Sequence, residues 1–464
     1  MRYLLFFLAI LMLVTLACGG SATTTPAPDN QPVFTSTLPV PSASETPSPV
    51  ETSTPAQVAG LIRVDTLEQE VYPFEENGKC SLAEAVVAAN TGELKDSCAA
   101  GMVGESIIEL MPGEYRFTHA DTSPPLFEWM PSLLEVGSAL PEIVFPLSIR
   151  GNGAVLIRDE EAEPFRFFEV MVNSKLTLED MTLQNGDVVE DWGGAIYSSN
   201  ASMDLKNVRF IDNHAELGGA VYFTLGRITV GGGEFIGNTS VTRGGGMFID
   251  SSQSTIETTR FEANDSGSDG GGMYLETVRL VLTDSIFLKN RVTGESYGNA
   301  GGGMYASHVE LMITGSQFYQ NESPMYGGAI GINNPELAGI DPEEGDPIQP
   351  LLSSPVVTDF LTSIPGFQST LEAHPSGIYV EFHESAEIHD NCFANNVTLN
   401  PDDPNWTSGL VGRASVADGN YWGDPSGPSG MGPGTGDSVG KRLVFAPFLT
   451  SPQDFCDPNL SDQG

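Results

Sequence analysis

Six segments between residues 176 and 321 repeat one hydrophobic pattern: apolar, spacer, apolar, four spacers, a large apolar residue, a short gap and asparagine. They read LTLEDMTLQN to Asn185, MDLKNVRFIDN to Asn213, ITVGGGEFIGN to Asn238, TIETTRFEAN to Asn264, LVLTDSIFLKN to Asn290 and LMITGSQFYQN to Asn321. After a variable loop each is followed by a glycine pair and a second apolar run: GGAIY, GGAVYF, GGGMF, GGGMY, GGGMY and GGAIG. These begin at 193, 218, 244, 270, 301 and 327, steps of 25, 26, 26, 31 and 26 residues. Alternation over a few residues predicts strands, and recurrence at a fixed period predicts stacked supersecondary units. The one long step contains TGESYGNA, an insertion confined to the loop between Asn290 and Gly301. Constant strand phase with variable loops is what a stack requires. The predicted fold is all-β, a single-stranded right-handed parallel β-helix.

In such a stack equivalent residues form columns. Leu178, Leu205, Val230, Ile256, Leu282 and Ile313 are expected to line the interior, and Phe210, Phe235, Phe261, Phe287 and Phe318, with Leu183 in the first coil, to form a second column. Parallel strands buried in this way are rich in Val, Ile, Leu and Phe. The row Asn185, Asn213, Asn238, Asn264, Asn290 and Asn321 marks one corner. Asparagine tolerates turn conformations and bonds nearby backbone, so a stacked row satisfies peptide groups that a bend leaves unpaired. A sugar-binding track is the competing reading, and turn chemistry already accounts for the row.

The flanks depart from the rhythm. In CSLAEAVVAAN (Cys80–Asn90) Ser81 and Glu84 have capping-box spacing, and Leu82, Ala85, Val86 and Ala89 share a helical face. This predicts a short helix that plugs the N-terminal end of the solenoid, within a cap spanning 60–104. SIIELMPGEYRF and LSIRGNGAVLI read as strand–turn–strand in the opening coils of a solenoid running over 105–450. An acidic, Pro-rich excursion interrupts it near 331–374, and a coil resumes at GIYVEF (377–382) and EIHDNCFANN. At ADGNYWGDPSGPSG, Tyr421 and Trp422 are expected to close the core, and residues 451–464 form a tail. Asp424 in that loop is a weak candidate for Ca²⁺ ligation through its carboxylate and backbone carbonyls.

Composition adds a compartment. Met1–Arg2, an apolar run from Leu4 to Leu16 and the exit Ala17-Cys18-Gly19 describe a secretory signal over 1–18. Residues 19–59 are mostly Thr, Pro, Ser, Ala and Val. They cannot bury enough apolar area to offset their ordering entropy, and their prolines make them an extended spacer of about 100 Å. The net charge of −41 gives a well-solvated surface that repels nucleic acid and anionic polysaccharides and favours cations. With Cys18 set aside, Cys80, Cys98, Cys392 and Cys456 remain, an even number in an oxidising setting. Three connectivities are open; sequence proximity favours the local pairs Cys80–Cys98 and Cys392–Cys456, one staple at each end.

Three resemblances follow from these motifs. Leu16-Ala17-Cys18 resembles the lipobox of bacterial lipoproteins, with Thr15 at the usual leucine position; this implies lipidation of Cys18 and a protein held at the membrane of the cell envelope or cell surface. The alternating GG[AG]-apolar and FxxN tetrads over roughly 176–330 resemble the repeats of the chlamydial polymorphic outer-membrane proteins and related surface β-helices. Cys80–Asn90 resembles the CSLREA segment that opens bacterial β-helix domains, with Ala83 where that segment has arginine. They imply a pectin-lyase-like solenoid and an adhesin or a module that binds surface glycans or proteins.

The fold also raises polysaccharide lyase and glycoside hydrolase chemistry as the alternative. A lyase needs a base and cations that neutralise the uronate. Lys206, Arg209, Arg227, Arg243, Arg260, Arg279, Lys289 and Arg291 are isolated and form no basic face. A hydrolase needs two positioned carboxylates. Asp187, Glu190, Asp191, Asp212, Glu216, Glu262, Asp265 and Asp269 fall near one edge, but with 61 acidic residues such proximity carries little weight. No catalytic residue and no cofactor beyond Ca²⁺ is assigned from sequence, and a non-enzymatic binding role is expected.

Overall fold

The computed structural model describes residues 60–126, 134, 136–294, 300–324, 327–333, 385–398, 410–411, 417–430, 432–439 and 445–456. The expected signal with Cys18, the expected spacer, most of the excursion near 331–374, the stretch 377–382 where a coil was expected to resume and the last eight residues lie outside them.

The chain is an all-β, right-handed parallel β-helix with one helix among the described residues, α1 (Leu82–Thr91). Its coils are laid down in three parallel sheets. The first contains Lys175–Gln184 and Ser202–Ile211, then the paired shorter strands Arg227–Gly231 with Glu234–Ile236 and Gln253–Glu257 with Arg260–Glu262. The second runs from Asp187–Trp192 through His214–Leu217 and Thr239–Arg243. The third runs from Phe168–Val170 through Ile196–Ser199, Val221–Thr224, Met247–Asp250, Met273–Glu276 and Met304–Ser307 to Ile330–Asn333.

The register stacks like on like. Leu178 pairs with Leu205, Leu205 with Val230, Val230 with Ile256, Ile256 with Leu282 and Leu282 with Ile313. The phenyl rings of Phe210, Phe235, Phe261, Phe287, Phe318 and Phe393 stack with centroids 4.6–5.2 Å apart, and the indole of Trp422 closes the column 4.7 Å from Phe393. These side chains are buried, and parallel-displaced rings at this spacing gain more than their buried area alone.

The asparagine row lies inside the molecule. Asn213, Asn238, Asn264, Asn290 and Asn321 are fully buried, which excludes a sugar track. Each Nδ2 donates to a carbonyl of the preceding coil, as Asn264 does to Phe235 O at 2.8 Å. From Asn238 onward each Oδ1 accepts both the N–H and the Nδ2 of the preceding asparagine, as Asn264 Oδ1 does from Asn238 at 3.0 and 2.9 Å. The row continues through Asn396 and ends on Asp437. Asn185 departs from the expectation. It stands two residues after Leu183 rather than three, so it takes the left-handed turn position (φ 63°) that Asp212 occupies one coil on. Gly186 fills the ladder slot and donates to Asn213 Oδ1 at 2.9 Å.

A second polar ladder turns the adjacent corner. The N–H groups of Thr259, Ser285, Ser316 and Asn391 donate in turn to Ser285 Oγ, Ser316 Oγ, Asn391 Oδ1 and Asn420 Oδ1, at 2.8–3.2 Å. The glycine pairs have two different reasons. Gly244 is left-handed (φ +68°), whereas a Cβ on Gly245 would collide with the Gly271 carbonyl of the next coil.

Both ends are closed. Ser81 and Glu84 form the reciprocal capping box of α1, and Gly92 ends it in the left-handed conformation. The disulfides are the local pairs, Cys80–Cys98 and Cys392–Cys456, with Cα atoms 4.7 and 6.0 Å apart. The second brings the C-terminal segment against the outward Leu288 and Tyr319.

Asp437 is the anomaly of the ladder. It accepts from Asn396 Nδ2 at 2.6 Å and from the Asn396 N–H at 3.3 Å. Burial pushes its carboxyl up to about 7. Its folded-state pKa therefore lies above the unfolded one, the native state holds the extra proton, and stability falls as pH rises from about 4 to 7. Asp437→Asn, which continues the carboxamide pattern, is expected to melt higher than the wild type at pH 8. The two should converge near pH 4 in paired thermal melts; an unchanged difference across that range would count against the assignment.

Candidate ligand-binding cleft

The outward face of the third sheet carries a column that the glycine-pair strands announce. Tyr197, Tyr222, Phe248, Tyr274 and Tyr305 pair in register, and their rings stack with centroids 5.0–5.5 Å apart. Trp192 stacks on Tyr222 at 5.0 Å, and the Arg243 guanidinium lies 4.9 Å from the Tyr274 ring. Tyr222, Phe248 and Tyr274 are only 8, 5 and 3 % exposed. Their faces are spent on one another, so the column is an outer seam and offers no open platform for a sugar ring. Burial pushes the Tyr197 phenol up to about 12 and those of Tyr222 and Tyr274 higher still.

Followed towards the N-terminus, this column changes character. Phe168–Val170 pairs with Ile196–Ser199 so that Glu169 precedes Tyr197. The next rung is supplied by the segment 137–143, which bridges to Arg166 through Ser138 and to Val170 through Ile143, in parallel. Ile143 N–H donates to Glu169 O at 2.9 Å and Met171 N–H to Ile143 O at 3.0 Å. Glu142 is thereby placed opposite Glu169 on the same outward face, one strand spacing of about 4.8 Å away.

These carboxylates line a cavity of about 390 Å³ between α1 and the segments 121–126 and 134–144. Val87, Asn90 and Thr91 form the helix side; Pro124, Pro125, Leu126, Leu134, Val136, Leu140 and Val144 give it apolar walls; Asp121 adds a third acid. The walls are fixed at three points. Asn90 Nδ2 donates to Glu142 O at 2.8 Å, and its Oδ1 accepts from Val144 N–H at 3.3 Å. Asp121 N–H donates to Ser138 O at 2.7 Å. The buried Arg166 donates to Val136 O at 2.6 Å and to Asp191 at 2.8 Å. The volume lies in the range of small-ligand sites and the walls are mostly apolar.

Like charges directly opposite on a sheet face repel. Burial first, then the negative charge of Glu169 and Asp121, pushes the Glu142 carboxyl up to about 7. Burial also raises Asp121, against the hydrogen bonds from Ser123.

The residues singled out from sequence lie elsewhere. Of the acids on the candidate edge, Asp187 is held low by the His214 imidazole beside it, and Asp191 pairs with Arg166. Glu262 pairs with Arg260, Asp265 with Arg291 and Asp269 with Arg243. Arg209, Arg279 and Lys206 are answered by Glu234, Glu310 and Glu179. Opposite charges thus alternate up the outer faces. Asp424 accepts the Ser426 N–H at 2.8 Å, closing its own turn. Among the described residues no three His, Cys, Asp or Glu side chains converge as a metal site. Glu142, Glu169 and Asp121 were missed: the outward tyrosine column reaches Glu169 in FFEV and Glu142 in PEIV only by steps of 28 and 27 residues, longer than the usual 26.

No protein-family model, curated protein or solved structure matches this chain. The reading of the cleft rests on its own geometry.

Proposed function

We propose that this chain is a lipid-anchored, surface-displayed β-helix that acts as a binding module, an adhesin or glycan- and partner-binding protein, and that the cleft at its N-terminal end is the recognition site. The observation that carries this reading is a ligand-sized cavity with apolar walls and two carboxylates in facing rungs, on a scaffold braced by three stacked columns. The signal-like N-terminus, the spacer after Cys18 and the resemblance of the tetrads to those of surface β-helices support display outside the cell. Filling the cavity with Val87→Trp, a half-buried residue on the outer side of α1, is expected to weaken glycan-array or cell binding at least tenfold. Unchanged binding removes the cleft from the function.

A second reading is favoured by one feature. A carboxyl poised near pH 7 beside another carboxylate resembles the acid–base pairing of glycoside hydrolysis. Release of reducing ends from a neutral polysaccharide, abolished by Glu142→Gln, would establish it. Polyuronates are the poorer substrate class, since no Lys, Arg or His is among the described residues that line the cavity.

A further inference from the structure

We propose that the last coil of the solenoid, residues 417–430 and 432–439, is a pH-operated latch, fastened below neutral pH and released above it, with the Cys392–Cys456 disulfide as its tether.

Backbone pairing holds this coil lightly. The coil beneath it is laid down through whole strands: Ser385–His389 pairs with Glu310–Thr314, and Cys392–Ala394 with Gln317–Tyr319. Among the described residues, the last coil meets its neighbour only in the bridge between Cys392 and Tyr421 and the pair of Leu410 with Val439. At the bridge Phe393 N–H donates to Tyr421 O at 2.8 Å and Tyr421 N–H to Asn391 O at 2.9 Å. An end coil with one neighbour is where local opening costs least, so side chains decide whether it stays down.

Four side-chain fasteners do this, and two of them depend on a proton. The Trp422 indole stacks on Phe393, and Asn420 Oδ1 accepts the Asn391 N–H at 2.9 Å; neither titrates. The third is Asp437, a carboxyl on Asn396 where the earlier rungs from Asn213 to Asn396 are carboxamides. The fourth is the pair of His389 Nδ1 with Asp418 Oδ1, which crosses from the lower coil to the last one.

Both respond to pH in the same direction. Among the described residues the groups facing Asp437 are neutral, the amides of Asn395 and Asn396 below it and the Trp422 carbonyl in its own coil. Burial raises its carboxyl to about 7, so rising pH leaves an ionised group inside that only opening can hydrate. Around His389 stand Asp418, the adjacent Asp390, which accepts from Gln453 Nε2 of the C-terminal segment, and the neutral Thr314 one coil below. Its ion pair exists only while the imidazole keeps its proton, and it is lost as pH rises through the histidine range. The disulfide closes a span of 64 residues that contains the coil, so the released coil remains attached at both ends and returns on acidification. Release bares the Phe393 ring and the strand edge at Cys392–Ala394, a surface open to further pairing.

The test is hydrogen exchange of the whole protein read by mass spectrometry at about pH 5.5 and about pH 8, corrected for intrinsic exchange, in the wild type, Asp437→Asn, His389→Gln and the double variant. In the wild type the terminal coil is expected to open on its own, with less protection than Ser202–Ile211, and to lose at least about tenfold more protection at the higher pH. Asp437→Asn should remove the larger part of that loss, His389→Gln a smaller part, and the double variant nearly all of it. Protection of the coil equal to that of Ser202–Ile211, no change between the two pH values, or a wild-type loss in the double variant each overturns the proposal.

Discussion

Asn264→Leu is expected to destabilise the protein by about 4–6 kcal/mol, among the largest single effects in the chain. The side chain is fully buried and shape is nearly kept, so the loss is one of hydrogen bonding. Asn264 Oδ1 accepts from Asn238 N–H and Nδ2, while its Nδ2 donates to Phe235 O at 2.8 Å and Asn290 Oδ1 at 2.8 Å. Leucine strands two donors and a carbonyl in the interior, each costing roughly 1–3 kcal/mol. Asn185→Leu, outside the column, should cost only about 1–2 kcal/mol, the strain of leucine at a left-handed turn position. Urea unfolding read together with hydrogen exchange at Asn238 and Asn290 checks this. Equal costs for the two variants would mean that the ladder contributes little.

Phe261→Ala should cost about 3–5 kcal/mol, the usual range for truncating a buried phenylalanine. Its ring lies 4.8 Å from Phe235 and 4.6 Å from Phe287. The flanking rings belong to strands held by their own backbone pairing, with Phe235 opposite Phe261 and Phe261 opposite Phe287, so the gap cannot close by collapse. Phe261→Leu, which keeps most of the volume, should cost markedly less. Thermal melts of the two variants separate a cavity effect from a general intolerance of the site; a loss below 1 kcal/mol for the alanine would place the column outside the core.

The fold was legible because a stack writes its geometry into the sequence at one period. The Leu178-to-Ile313 and Phe210-to-Phe318 columns follow from counting, and α1 from the capping-box spacing of Ser81 and Glu84. Asn185 shows where counting fails: a single missing residue after Leu183 moves a side chain from the ladder to the turn, and type alone does not reveal it. The cleft was harder. Glu142 and Glu169 lie before the tetrads begin, in coils without glycine pairs, and their proximity depends on segment 137–143 adding itself as a rung beside Phe168–Val170. With 61 acids in the chain, only that pairing distinguishes these two from the rest.

Because each coil is fastened only to the coil beneath and the coil above, the number of coils is free to vary while the chemistry stays put. Gain or loss of one 26-residue unit would lengthen or shorten the rod by about 4.8 Å and leave the cleft, set in the opening coils beside α1, as it is. Reach and recognition are therefore separately adjustable in this architecture, and relatives of different length would be expected to present the same acidic mouth on stalks of different height.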